Sequence, residues 1–125
     1  MADQFVVAKP SEIEWVSGEQ QLALPQAEIK VLNRDSDEDR VDFLVRFPAG
    51  YHEPRHTHTG YHISTIVEGT MIVNKGEHVL GPGDYVFGPS NVPHGPFDYP
   101  EGCVVFSTLK GGMRHDSLEA DSPTL

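Results

Sequence analysis

The sequence has a single cysteine, Cys103, in 125 residues. No disulfide can close within such a chain, and the composition suits a reducing compartment, so a cytoplasmic location is expected. No apolar run approaches the roughly 20 residues that a membrane helix needs. Positive charge is scarce: Lys and Arg number 9 against 19 Asp and Glu, a formal net charge of −10. A surface that acidic repels phosphate backbones and anionic lipid, which excludes nucleic acid and membrane surfaces as expected partners. The start, Met1-Ala2-Asp3-Gln4, has no basic region followed by an apolar stretch, so no secretory signal is expected. Internal repeats and low-complexity tracts are absent too.

What the sequence has is glycine and proline, 12 and 10 residues. That is too many for a helix bundle and natural for strands joined by turns. The length suits one domain with one core. Residues 1–40 read as an N-terminal arm and first strands, 41–109 as the core, and 110–125 as a polar tail with at most a short helix at 117–120. Within 11–30, Gly18 and Pro25 break any long helix. That segment reads as extended arm plus loop anchored by Trp15. The charged run 33–40 reads as a solvated turn. Val41, Phe43, Val45 and Phe47 then alternate on one face of a strand. Further strands are expected at 61–67, 70–73, 78–80, 85–87 and 103–109, with 74–77 as a hairpin connection. An all-β sandwich or barrel follows.

Seven histidines are present, four of them between 52 and 62. His56 and His58 are two residues apart, so in extended chain both imidazoles point to one side. His62 opens the next strand, and His94 lies far along the chain after Pro93. A metal needs three or four ligands converging from different elements, and neutral imidazole is the commonest of them. His56, His58, His62 and His94 are the candidate ligands of one divalent metal. Imidazole accepts iron, zinc, nickel and copper alike, so Fe(II), Zn(II) and Ni(II) all remain open.

These residues also carry a resemblance. The first motif of the cupin superfamily is commonly written G-x5-H-x-H-x3/4-E-x6-G. Gly50, His56, His58, His62 and Gly69 stand at its spacings, with His62 in place of Glu. The second motif is G-x5-P-x-G-x2-H-x3-N. Gly83, Pro89, Asn91, His94 and Asp98 keep its spacings, with Asn91 for Gly and Asp98 for Asn. The chain therefore resembles a cupin over about residues 41–109. The resemblance implies a double-stranded β-helix, or jelly-roll, barrel. It maps metal ligands onto His56, His58 and His94, with His62 in the slot usually held by Glu. Trp15, Leu44 to Gly50, Pro54 to His58, Glu68-Gly69, Gly83-Asp84-Tyr85, Pro89, His94 and Glu101-Gly102-Cys103 are similar to single-domain cupins near acetylacetone and dihydroxyacetophenone dioxygenases. They are also similar to the cupin half of certain anti-sigma factors. The four histidines resemble small zinc-carrying polyketide cyclases. A homodimer is implied by the same likeness, with residues 1–30 packing on the partner.

Four neutral imidazoles leave a divalent cation its full charge, which favours an anionic substrate such as an enolate, a phenolate or a β-diketonate. Three functions follow in order: an Fe(II) dioxygenase cleaving a C–C bond of an enolisable or phenolic ketone, a zinc cyclase or isomerase, and a non-catalytic binding or sensing domain. Ser64 and Ile66 share the face of His62, so they are expected to line the pocket. Arg46 is a candidate to hold an anionic substrate group. Val104, Phe106 and Thr108 form one face of the last strand, with Phe106 as a candidate pocket wall. Tyr51, His52 and Arg55 form a rim loop, His78 and His115 lie on the surface, and Cys103 is an inert thiol.

Overall fold

Val41, Phe43, Val45 and Phe47 are all buried, so the alternation read along this segment is the wall of the core. The computed structural model describes residues 4–22 and 24–111. A two-residue strand β1 (Val16–Ser17) leads into a five-residue helix α1 (Gly18–Leu22). Strands β2 (Glu28–Asp35) and β3 (Arg40–Phe47) form a long hairpin. Then come β4 (Tyr51–Glu53), β5 (Tyr61–Gly69), β6 (Met71–Val73) and β7 (His78–Leu80). β8 (Tyr85–Gly88), β9 (Phe97–Tyr99) and β10 (Cys103–Lys110) complete the described fold.

These strands form two antiparallel sheets, one ordered β1-β2-β3-β10-β5-β8 and the other β4-β9-β6-β7. Both contribute to a single hydrophobic core, Phe43, Val45, Ile66 and Val105 from the first and Met71, Phe97 and Tyr99 from the second. Phe47 and Tyr99 stack across the two sheets with ring centroids 4.1 Å apart. Ile29, Val41, Ile66 and Val105 are essentially inaccessible, and each such side chain contributes about 1.5–3 kcal/mol relative to exposure.

The expected jelly-roll architecture is present, but the sheets are not hydrogen-bonded into a closed barrel. Proline explains part of this. Pro54 follows β4, Pro82 lies just beyond β7, and Pro89 follows β8; each lacks the N–H that would extend a ladder.

Two segments differ from the sequence reading. The run 28–35 is a strand, and only 36–39 turn. Asp35, read as part of a solvated run, is buried and accepts backbone N–H bonds from Asp37 and Glu38 at 3.1 and 3.2 Å, shaping that turn. Tyr51 and His52, read as loop, belong to β4, which pairs with β9 through Tyr51–Tyr99 and Glu53–Phe97. The short helix expected at 117–120 and His115 lie outside the described residues.

Candidate metal centre

The two backbone segments that carry the key histidines are clamped to each other. The N–H of His56 donates to the His94 carbonyl at 3.0 Å, and the N–H of His94 donates back to His56 at 2.9 Å. Nearby, the N–H of Asn91 donates to the His58 carbonyl at 2.7 Å. Asn91 has φ +61°, a left-handed conformation that asparagine tolerates better than most residues. Asparagine in the place of the motif glycine therefore suits this turn.

His56, His58 and His94 each offer a ring nitrogen, and these atoms all lie within 4.8 Å of one another. The Pro54 carbonyl is 2.7 Å from Nδ1 of His56, and the Val92 carbonyl is 3.0 Å from Nδ1 of His94. A carbonyl only accepts, so both Nδ1 atoms carry the proton. That leaves Nε2 of each ring as the nitrogen able to ligate. A backbone carbonyl fixing the far nitrogen is the usual support for a ligating histidine.

His62 lines the same cavity, with its ring centroid 4.7 Å from that of His94 and 5.6 Å from that of His58. It stands outside the tight group of three. Nδ1 of His62 and Nε2 of His94 are buried without a hydrogen-bond partner. An unsatisfied buried polar atom costs about 1–3 kcal/mol, and a cation would relieve that cost. The residues present therefore fit a divalent metal.

Burial, followed by the neighbouring imidazoles, pulls His58 down to about 3 and His62 to about 4. Burial and His56 pull His94 to about 4, partly opposed by its hydrogen bond to Val92. These rings are neutral at physiological pH, the form a metal requires.

The histidines line one part of a pocket of about 90 Å³. Its other walls are mainly apolar, including Phe43, Val45, Met71, Val86 and Val105. Ser64 lines it as expected, with its hydroxyl 2.9 Å from that of Ser107. Ile66 is buried in the core and does not line the cavity.

Phe106 does not line it either. Val105, Ser107 and Leu109 do, because β10 pairs these residues with Val45, Phe43 and Val41, the inward face of β3. Arg46 is on the outer surface. Its guanidinium bonds Glu28 and sits 4.3 Å from the Trp15 ring centroid, with Lys30 at 4.7 Å from the same ring. His52 is also outward, its Nδ1 2.6 Å from Asp98. Cys103 is buried, and burial with nearby Glu68 pushes its thiol up to about 11, consistent with an inert group.

Leu22 and Leu24 were not foreseen as wall residues, because their segment carries no strand-like alternation. Glu53 was missed as well. It lines the cavity, accepts a hydrogen bond from the Tyr99 hydroxyl at 3.1 Å, and lies 3.7 Å from Nε2 of His56. Burial pushes its carboxyl above the ordinary range, while His56, the Tyr99 hydrogen bond and His52 pull it back. The alternation of Tyr51, His52 and Glu53 was the available signal. His52 turns outward, which sends Glu53 inward.

Two antiparallel sheets around one core, with histidines gathered at an internal cavity, define a cupin. The chain belongs to the family of the ChrR cupin-like domain, whose model matches residues 3–113. No curated protein matches the sequence. Among solved structures, an RmlC-like cupin from Ralstonia eutropha JMP134 is similar at a TM-score of 0.74 and 22% identity, over 88% of this chain and 71% of that one. An acetylacetone dioxygenase from Acinetobacter johnsonii has a TM-score of 0.68 and 18% identity, over 94% and 82%. The polyketide cyclase RemF from Streptomyces resistomycificus has a TM-score of 0.68 and 18% identity, over 86% and 80%. At these identities the likeness shows the fold. Among the described residues, no helix is long and apolar enough to cross a membrane.

Proposed function

We propose that this cupin is a metal-dependent enzyme that binds one divalent cation at His56, His58 and His94, with His62 as the fourth imidazole, and acts on an enolisable or phenolic ketone. The observation that carries this reading is the convergence of these histidines on a partly open, mainly apolar pocket. When bound, the metal supplies positive charge that lowers the pKa of such a substrate, and iron also supplies redox chemistry toward O₂.

The chain's own residues do the rest. Phe43, Val45 and Val105 bury the apolar body of the substrate and keep water out. The Ser64 and Ser107 hydroxyls offer a hydrogen-bonding point for a substrate oxygen on an otherwise apolar wall. The neutral rings of His58, His62 and His94 leave the positive charge of the centre available to an anionic head group. The leading reaction is C–C cleavage by an Fe(II) dioxygenase. Zinc-dependent cyclisation or isomerisation is the second, supported by the resemblance in fold to RemF.

Anaerobic Fe(II) and Zn(II) forms titrated with linear β-diketones and hydroxyacetophenones test the proposal. Substrate ionisation below its solution pKa is expected. On admitting O₂, oxygen uptake matched to substrate loss in the iron form alone supports the dioxygenase. Ring closure or isomerisation in the zinc form without oxygen supports the cyclase. A metal-loaded protein that binds azide, perturbs none of these compounds and turns none over contradicts the proposal.

A further inference from the structure

We propose that Glu53 is a metal ligand, giving the histidine centre an anionic donor from β4. This rests on the metal reading above and deepens it. Glu53 ends its strand just before Pro54, and the Pro54 carbonyl is the group that fixes the His56 ring. With Nδ1 of His56 donating to that carbonyl, Nε2 is the nitrogen left to ligate, and a ligating imidazole must be neutral. That nitrogen faces Oε2 of Glu53 at 3.7 Å. That distance is too long for a hydrogen bond between the two. The other carboxylate oxygen is already engaged, accepting the Tyr99 hydroxyl at 3.1 Å.

In that metal-binding form of the ring, Nε2 and Oε2 confront each other as two electron-rich atoms, on side chains that are 8% and 17% exposed. A cation between them removes the conflict. Ligands bonded at about 2.1 Å stand about 3.0–3.5 Å apart in octahedral or tetrahedral arrangements, so the His56–Glu53 pair is within a few tenths of an ångström of sharing a cation, although Glu53 stands outside the group of three histidines. Glu53 is also the carboxylate among the residues lining this cavity. A divalent cation held by imidazoles alone would bring two uncompensated charges into an apolar cavity, which is costly. Glu53 cancels one of them. Its bond to Tyr99, a buried residue, holds the carboxylate at the edge of the centre and orients Oε2 inward.

The test uses the full chain, with Co(II) as a spectroscopic probe and Zn(II) for affinity. Wild type, Glu53→Gln and Glu53→Asp are compared by chelator competition, by Co(II) visible spectra and by azide titration of the Co(II) forms. Glu53→Gln keeps the shape and removes the charge. It should weaken Zn(II) by about tenfold or more, change the Co(II) spectrum and tighten azide severalfold, because the centre regains positive charge. Glu53→Asp keeps the charge but withdraws it by one methylene, and should also weaken Zn(II) and alter the spectrum.

Zn(II) affinity within twofold of wild type with an unchanged spectrum in either variant overturns the assignment. Metal and azide weakening together in Glu53→Gln also overturns it, because that is the mark of a disturbed pocket. Should Glu53→Gln fail to fold by circular dichroism, Glu53→Asp decides the question alone. A wild-type protein that binds neither metal overturns the metal reading itself, whereas wild-type binding with indifferent variants removes only Glu53.

Discussion

Gly88 and His62 are direct partners across the β5–β8 ladder, and the His62 imidazole occupies the space where a Gly88 side chain would be. A Cβ at position 88 would stand 2.3 Å from Cε1 and 2.6 Å from Nδ1 of that ring. The backbone of an edge strand thus determines where a candidate ligand sits.

Gly88→Ala should displace the His62 ring while leaving every donor atom in the sequence. The overpacking should cost about 1–3 kcal/mol of stability. Metal affinity should fall as far as it does in His62→Ala, and the double variant should bind metal no worse than His62→Ala alone. Competition with a chromophoric chelator measures all three. Independent, additive losses would show that Gly88 does not act through His62.

Ser64 and Ser107 satisfy each other inside the cavity wall. Replacing one with alanine leaves a buried hydroxyl without its partner, at about 1–3 kcal/mol, whereas replacing both removes the need. Denaturant unfolding of Ser64→Ala, Ser107→Ala and the double variant should therefore place the double variant above at least one single variant. Simple addition of the two losses would contradict the pairing.

The depressed histidines set the pH dependence of the metal-free protein. His58, His62 and His94 are held at about 3, 4 and 4, while an unfolded chain titrates them near about 6.5. As pH falls from about 7 to 5, the unfolded state takes up protons that the folded state refuses, so stability falls. Glu53 is raised and acts in the opposite sense, its penalty being relieved on acidification. Three histidines against one carboxyl give a net fall in Tm over this range, smaller in His58→Gln. A metal-free Tm that is flat or rises on acidification would contradict the buried, neutral cluster.

Much of the site could be read from spacing. His56 and His58 stand two apart on one side of the chain, and His94 returns to them through a turn whose Asn91 accepts a left-handed φ. The strands punctuated by glycine and proline were legible for the same local reason.

What escaped depended on long-range pairing. Alternation alone gives β10 two equivalent faces; only its register with β3 turns Val105 inward and Phe106 away from the cavity. The reach of β2 through 33–35 was hidden because its charged residues, Arg34 and Asp35, continue into the turn and its register shifts between Val31 and Asn33. Glu53 was hidden because a three-residue strand has too little alternation to announce itself.

Histidine ligation is read by metal analysis and X-ray absorption of wild type and of His56→Ala, His58→Ala and His94→Ala. One divalent metal per wild-type chain, nitrogen scatterers at about 2.0–2.1 Å for zinc, and loss of stoichiometric metal in each variant are expected. Wild-type protein that takes up no divalent metal when loaded, or full occupancy after removal of His56 and His94 together, would contradict histidine ligation.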